Sequence, residues 1–298
     1  HKMSVEATSA TTSYMGESIT FIDCPGSVEF AYEAEPVLAA ADMAVVVAEA
    51  DEKKLPALQL ALRRRDDLGI PHVLFLNKID KANAGVRETL KLLQTVSKTP
   101  MLLRQIPIWQ NGIATGFIDL ALERAFVYRE HAPSEMIPLA GDDAAREVEA
   151  RYSMLERLAD HDDELMEQLL TDIAPPKDEV FDDLAADLRE GLVMPVFIGA
   201  AERGNGVTRL LKAIRHEGPD ATVTAKRLDV GGGTVAQVLK TIHTSHAGKL
   251  SVSRIFGGTI ADGAEILLPD GRSERISGMH AMLGISQKKI ANATAGET

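Results

Sequence analysis

Three short segments carry side chains that could do chemistry, in a fixed order along the chain: Asp23-Cys24-Pro25-Gly26, Asn77-Lys78-Ile79-Asp80 and Gly199-Ala200-Ala201. Asp80 offers two acceptor oxygens on one group. That suits a partner presenting two adjacent N–H donors on one edge, as guanine does. Adenine has a different edge and would leave the carboxylate unpaired, which a buried polar site penalises. Asn77 is suited to brace the loop and the base edge, and the aliphatic stem of Lys78 to lie over a flat ring. Asp23 could hold a Mg²⁺ through water, since hard cations take oxygen ligands. Gly26 has no side chain, so its N–H can approach a terminal phosphate. The Ala201 amide is placed to reach the guanine carbonyl. Each motif also has a plain structural use. Asn and Asp favour strand-end turns for their own reasons, the first motif could be a strand-to-helix turn, and two small residues after Ile198 could be close packing.

Each segment closes a run that reads as a strand: ESITFID before the first, PHVLFLNKID around the second, MPVFIGAA ending in the third. The β-branched run at 43–50 reads as a fully buried strand of a parallel sheet. Residues 53–68 read as an amphipathic helix with Leu55, Leu58 and Leu62 on one face, and 84–96 as another with Val86, Leu90 and Leu93 inward. Strands alternating with helices predict a doubly wound α/β domain, whose ligands bind at the carboxyl ends of the strands. The alternation breaks after about residue 100. Here 104–110, 114–120 and 124–130 read as short antiparallel strands, with Trp109 in their core, and 143–160, 162–171 and 177–190 as helices. Asp162 is a candidate helix cap. Strand 193–198 and helix 206–215 return to the main sheet. Residues 218–233 read as a linker, and the period-two pattern from Thr234, with a Pro269–Arg272 hairpin turn, as a partial all-β barrel.

Composition is ordinary for a globular chain: 298 residues, 45% hydrophobic and 26% charged. One cysteine excludes a disulfide framework and fits a reducing, cytoplasmic setting. No apolar run approaches the ~18–20 residues of a membrane helix. The net charge of −12 argues against nonspecific binding to DNA or other nucleic acid, so a nucleic-acid partner would be met by local basic patches. Arg63–Arg65 and Lys288–Lys289 read better as solvated faces. His243 and His246 have no carboxylate at a metal or catalytic spacing and read as loop histidines.

The motifs together resemble the translational GTPases, and most closely elongation factor G. DCPGSVEF stands where that family has DTPGHVDF, and HKMSV where it has RGITI. TGFIDLALERAFVY resembles that family's insertion between its fourth and fifth motifs. Residues 162–214 follow the same region nearly element by element, and 235–267 resemble the start of its second domain. The resemblance implies a P-loop-GTPase-type sheet over residues 1–217, an inserted α+β subdomain at about 100–192, and a barrel over 234–298. It implies GTP and GDP as ligands and the ribosome, both rRNA and ribosomal proteins, as partner. It also implies Mg²⁺ held by Ser4 and Asp23, and a base site of Asn77, Lys78, Asp80 and Gly199–Ala201. Ser27 occupies the place of the histidine that positions the attacking water, while Cys24 and Glu29 are milder changes. No GxxxxGK[ST] occurs in the 298 residues, so a piece of a longer polypeptide is expected, one that binds and hydrolyses GTP poorly by itself. Two other readings stay open: a divergent GTP/GDP-binding switch with weak or no hydrolysis, and a ribosomal-protection-type GTPase.

Overall fold

Runs of β-branched and aliphatic residues build a parallel sheet whose strands are Ala44–Glu49, His72–Asn77, Met194–Ile198 and Met101–Leu103, in that spatial order. The computed structural model describes residues 4–81, 85–244, 248–283 and 286–298. The two central strands are buried on both faces, with Leu74, Met194, Val196 and Ile198 at 0% exposure. The run at 43–50 departs from its expected full burial. Its strand lies at the edge of this sheet, and Val47 is 61% exposed. The helix Leu55–Asp67 buries Leu58 and Leu62, and the helix Val86–Gln94 buries Val86 and Leu93, as the 3.6-residue spacing requires. These pack with Leu74, Leu76, Val196 and Ile198 on one face of the sheet. Val73, Phe75 and Phe197 point to the other face and meet Leu210 and Ala213 of the helix Val207–Glu217. With helices on both faces, this is the α/β architecture expected.

The inserted sheet has four antiparallel strands, Gln105–Gln110, Ile113–Asp119, Arg124–Arg129 and Ala132–Ile137, paired in sequence order. The fourth was not expected, because APSEMI is largely exposed and carries no apolar alternation. Asn111 and Gly112, both at positive φ, form the two-residue turn between the first pair. Trp109 is partly buried and packs against the cluster of the main sheet. Helices Asp142–Ala159, Asp163–Leu170 and Lys177–Glu190 close the insertion, their Leu158, Leu165 and Leu184 joining Ile106 and Ile118 in one core. Asp162 caps the second, accepting the Leu165 N–H at 2.8 Å.

Where two of these helices meet, burial and the neighbouring Asp162 and Asp187 push the Asp183 carboxyl up to about 6. The Asp187 side chain also faces His161, at 3.0 Å. Between the ordinary aspartate value of about 3.9 and that raised value, the folded chain holds a proton that the unfolded chain has released. Asp183 therefore takes stability away as pH rises through this window. Asp183→Asn is expected to leave thermal stability unchanged at pH 3.5 and to raise it at pH 7.5. Solvent screening of this partly exposed group keeps the gain to about 1 kcal/mol. Equal melting shifts at both pH values would show that Asp183 does not titrate in this way.

Met43–Pro219 forms one compact unit; residues up to Asp42 together with Asp220–Thr298 form another. In the second, Thr8–Tyr14 and Glu17–Asp23 make a hairpin about Met15 and Gly16, both at positive φ. Ala10 pairs with Leu283 of the strand Met279–Leu283, which in turn pairs with Ser286–Ile290. Val37 and Ala40 of the helix Ala31–Ala40 pack with Leu239 and Phe256 from the paired strands Val235–Thr244 and Gly248–Gly257. The segment expected as a linker holds a seven-residue helix, Ala221–Arg227, whose first amides are taken by the Asp220 carboxylate. Glu265–Leu267 and Ser273–Arg275 pair across the Pro269–Arg272 turn as expected, with Gly271 at φ +83°. His243 lies exposed on a strand and not in a loop, and His246 lies outside the described residues.

Candidate functional site

Parallel pairing sets the ends of two strands level, so that Glu49 stands opposite Asn77. The neighbouring strand brings in the third motif. Gly199 donates its N–H to the Leu76 carbonyl at 3.0 Å, and Ile79 donates to the Gly199 carbonyl at 3.0 Å. Asn77 Oδ1 then accepts two backbone N–H groups, from Lys78 and from Ala201, each at 2.9 Å. One side-chain oxygen thereby joins the Asn77–Asp80 loop to the Gly199–Ala201 loop. Ile79, 1% exposed, anchors the loop in the core. Only glycine fits at 199. A Cβ there would lie 2.3 Å from the Asn205 carbonyl oxygen and 2.5 Å from the Phe75 ring. Ala200 and Asn205 exchange backbone hydrogen bonds at 3.0 and 3.1 Å, closing the turn that follows.

The charged side chains of this loop pair all have partners from within the chain. Lys78, at φ +59°, reaches Glu49 at 2.7 Å, and Lys54 reaches the other Glu49 oxygen at 2.8 Å. Hydrogen bonds from Lys54 and then Lys78 hold the Glu49 carboxyl below the usual range, and Glu49 raises Lys78 in return. The Asp80 side chain is 10% exposed, and its carboxylate faces Arg203 Nε at 3.4 Å. Glu49 and Arg203 were not singled out from the sequence. Glu49 left a signal: a carboxylate ending AVVVAE must stand level with the end of the next parallel strand. Arg203 left none, because its side chain reaches Asp80 across a turn whose shape sequence does not give.

In the other unit, Ser4, Asp23, Gly26 and Ser27 lie about the end of the strand Glu17–Asp23. Ser4 Oγ donates to Asp23 Oδ2. A hydroxyl and a carboxylate side by side form a hard-oxygen pair that fits Mg²⁺, with water completing its shell. Among the described residues, no group of three or more His, Cys, Asp or Glu side chains is gathered as a metal site. Gly26 has open space where a Cβ would stand. The Ser27 carbonyl accepts the Phe30 N–H at 3.1 Å and opens the turn Val28–Phe30, with its hydroxyl not used as a cap. Cys24 is partly buried, its Sγ 3.8 Å from the Ile22 carbonyl oxygen, and Glu29 is exposed. Asn77, Lys78, Asp80 and Gly199–Ala201 are thus gathered in one unit, and Ser4, Asp23, Gly26 and Ser27 in the other.

Residues 1–220 match the family described as the elongation factor Tu GTP binding domain. The chain is 39% identical over 300 residues to an elongation factor G-like protein of Synechocystis sp. (strain ATCC 27184 / PCC 6803 / Kazusa), covering 99% of this chain and 44% of that protein. It is 28% identical over 320 residues to elongation factor G 1 of Geobacter sulfurreducens (strain ATCC 51573 / DSM 12127 / PCA), covering 99% and 45%. A crystal structure from Thermus thermophilus has the same fold, with a TM-score of 0.86 at 24% identity, covering 100% of this chain and 44% of that one. The chain spans less than half the length of these relatives.

Proposed function

The chain belongs to the GTPase family built on the elongation factor Tu GTP-binding domain, and from that premise we propose that it is the guanine-nucleotide-binding part of an elongation factor G-like translation factor. The observation that carries this reading is the pair of hydrogen bonds to Asn77 Oδ1, which locks the base-reading loop to the Gly199–Ala201 loop beside a mostly buried Asp80. Asp80 takes the two guanine N–H donors and the Lys78 stem lies over the ring, while the Ala201 amide stays on Asn77 Oδ1 and holds the two loops together. Gly26 offers its amide to the terminal phosphate. Ser4 and Asp23 are the residues that would hold Mg²⁺, which would supply positive charge against the phosphates. Catalysis in this class rests on positioning and charge stabilisation. Residues 1–217 act as the nucleotide domain and 234–298 as the start of a barrel domain, in a cytoplasmic protein whose partner is the ribosome and whose GTP hydrolysis drives translocation. The test is ribosome-stimulated GTP hydrolysis by the full-length protein. Failure to bind GTP or GDP would remove the reading at its base.

Ser27 favours a second reading, a slow switch. It stands one residue past Gly26, at the position where the family resemblance puts the histidine that meets the attacking water, and a hydroxymethyl group reaches less far than an imidazole and carries no charge. In the full-length protein, Ser27→His is expected to raise ribosome-stimulated turnover by about 10²-fold, with nucleotide affinity nearly unchanged. A flat turnover with normal GTP binding would favour the slow switch. A fall in affinity would mean that the Asp23–Glu29 segment does not attend the phosphates.

A further inference from the structure

We propose that Arg203 is an internal competitor for the guanine site: in the nucleotide-free chain its guanidinium holds the Asp80 carboxylate, and an incoming base displaces it. This rests on the reading of Asp80 as the base-binding carboxylate. Asp80 is 10% exposed and Arg203 52% exposed, so the acceptor sits in the protein while the competing cation sits in water. A mostly buried carboxylate with no cation or donor beside it is costly, and Arg203 Nε, at 3.4 Å, covers that cost while the base is absent. The contact is longer than a well-formed charge-assisted hydrogen bond, about 2.7–2.9 Å. It is therefore a pair that two short N–H bonds from guanine can outcompete.

The backbone shows that only the side chain must move. The Arg203 N–H is held by the Ala200 carbonyl at 3.0 Å, and its carbonyl accepts the His131 N–H at 2.9 Å. On one side Ala201 is tied to Asn77, and on the other Gly204, at φ +74°, takes the chain out of the turn. The guanidinium can swing into solvent with its main chain clamped. The neighbouring charges do not replace it. Lys78 is engaged by Glu49 at 2.7 Å, and Lys81 lies 3.8 Å from Glu202. Binding is thus divided between a held and a free form of Asp80, and apparent affinity falls in proportion to the held fraction.

The test is a titration of full-length protein with a fluorescent GDP analogue, in wild type, Arg203→Gln, Asp80→Asn and the double variant. Partly exposed pairs contribute little, so Arg203→Gln is expected to bind about two- to fivefold tighter than wild type. In the Asp80→Asn background, probed with xanthosine diphosphate, Arg203→Gln is expected to bring no gain, since the carboxamide does not hold the guanidinium. Unchanged affinity in Arg203→Gln overturns the proposal. So does weaker binding, which would make Arg203 a nucleotide contact, and so does an equal gain in the Asp80→Asn background. A wild type that binds GDP equally well after Asp80→Asn, or does not bind it at all, removes the guanine site itself and this competitor with it.

Discussion

Glu217→Ala is expected to destabilise the Met43–Pro219 unit by about 3–5 kcal/mol, because it strands a buried charge. Arg104 is 0% exposed and lies between the short parallel strand Met101–Leu103 and the inserted sheet. Its guanidinium meets the Glu217 carboxylate through both terminal nitrogens. It also lies over the Phe197 ring, 5.4 Å from the centroid, and 5.9 Å from that of Phe181. Burial opposes its charge, and Glu217 outweighs burial, leaving its pKa raised. Its Nε is buried without a hydrogen-bond partner among the described residues, so Glu217 carries the larger share of the compensation and Asp119 a smaller one. Removing Glu217 leaves a cation without water, and the remaining nearby anion, Asp119, is already paired with Arg209. Removing both charges together, as Arg104→Met with Glu217→Leu, keeps similar volume and is expected to cost far less, since apolar replacements of buried pairs are often neutral. Trp109 is the chain's single tryptophan and lies in this unit, so its fluorescence during urea unfolding reports the right transition. A cost below about 1 kcal/mol for Glu217→Ala would mean that water reaches Arg104.

What was legible in the sequence follows from burial on one face or two. His72–Asn77 and Met194–Ile198 are apolar throughout because helices cover both sides, and their positions were plain. The spacing of Leu58 and Leu62, and of Val86 and Leu93, gave the helices and their inward faces. The strand Thr8–Tyr14 was not legible. TSATTSY carries no apolar alternation, since its pairing with Glu17–Asp23 rests on backbone bonds and on contacts such as Thr11 with Thr20, 2.9 Å apart. The helix Ala221–Arg227 was hidden by its shortness and by glycines on either side. Val47 misled because a β-branched run looks the same at a sheet's edge as at its centre. The residues proposed to read the base were legible as a motif, but their charge partners were not singled out. Glu49 and Arg203 lie 31 and 123 residues from Asp80 in sequence, and only the sheet register and the turn after Ala200 bring them near.

In the full-length protein, Asp80→Asn is expected to weaken GTP binding by about 2–4 kcal/mol and to bring xanthosine triphosphate into the site. The carboxylate offers two acceptors to two guanine donors, and the pair is charge-assisted. A carboxamide keeps one acceptor and turns the other position into a donor, which faces a guanine N–H without bonding. Xanthine replaces the guanine amino group with a carbonyl, so the same carboxamide donor finds an acceptor there. The expected loss for GTP is roughly 30- to 1,000-fold at about 1.4 kcal/mol per decade. The surrounding loop should survive the change. Asn77 holds Lys78 and Ala201 through its own oxygen, Ile79 anchors the turn, and neither contact involves the Asp80 side chain. Arg203 loses its anion but is half in water, so it is left solvated and not stranded. Unfolding followed through Trp109 should therefore be nearly unchanged, which separates a lost base contact from a lost fold. Isothermal titration with both triphosphates makes the measurement. Equal GTP affinity in variant and wild type would mean that Asp80 does not face the base, and the guanine assignment of the Asn77–Asp80 loop would fall with it.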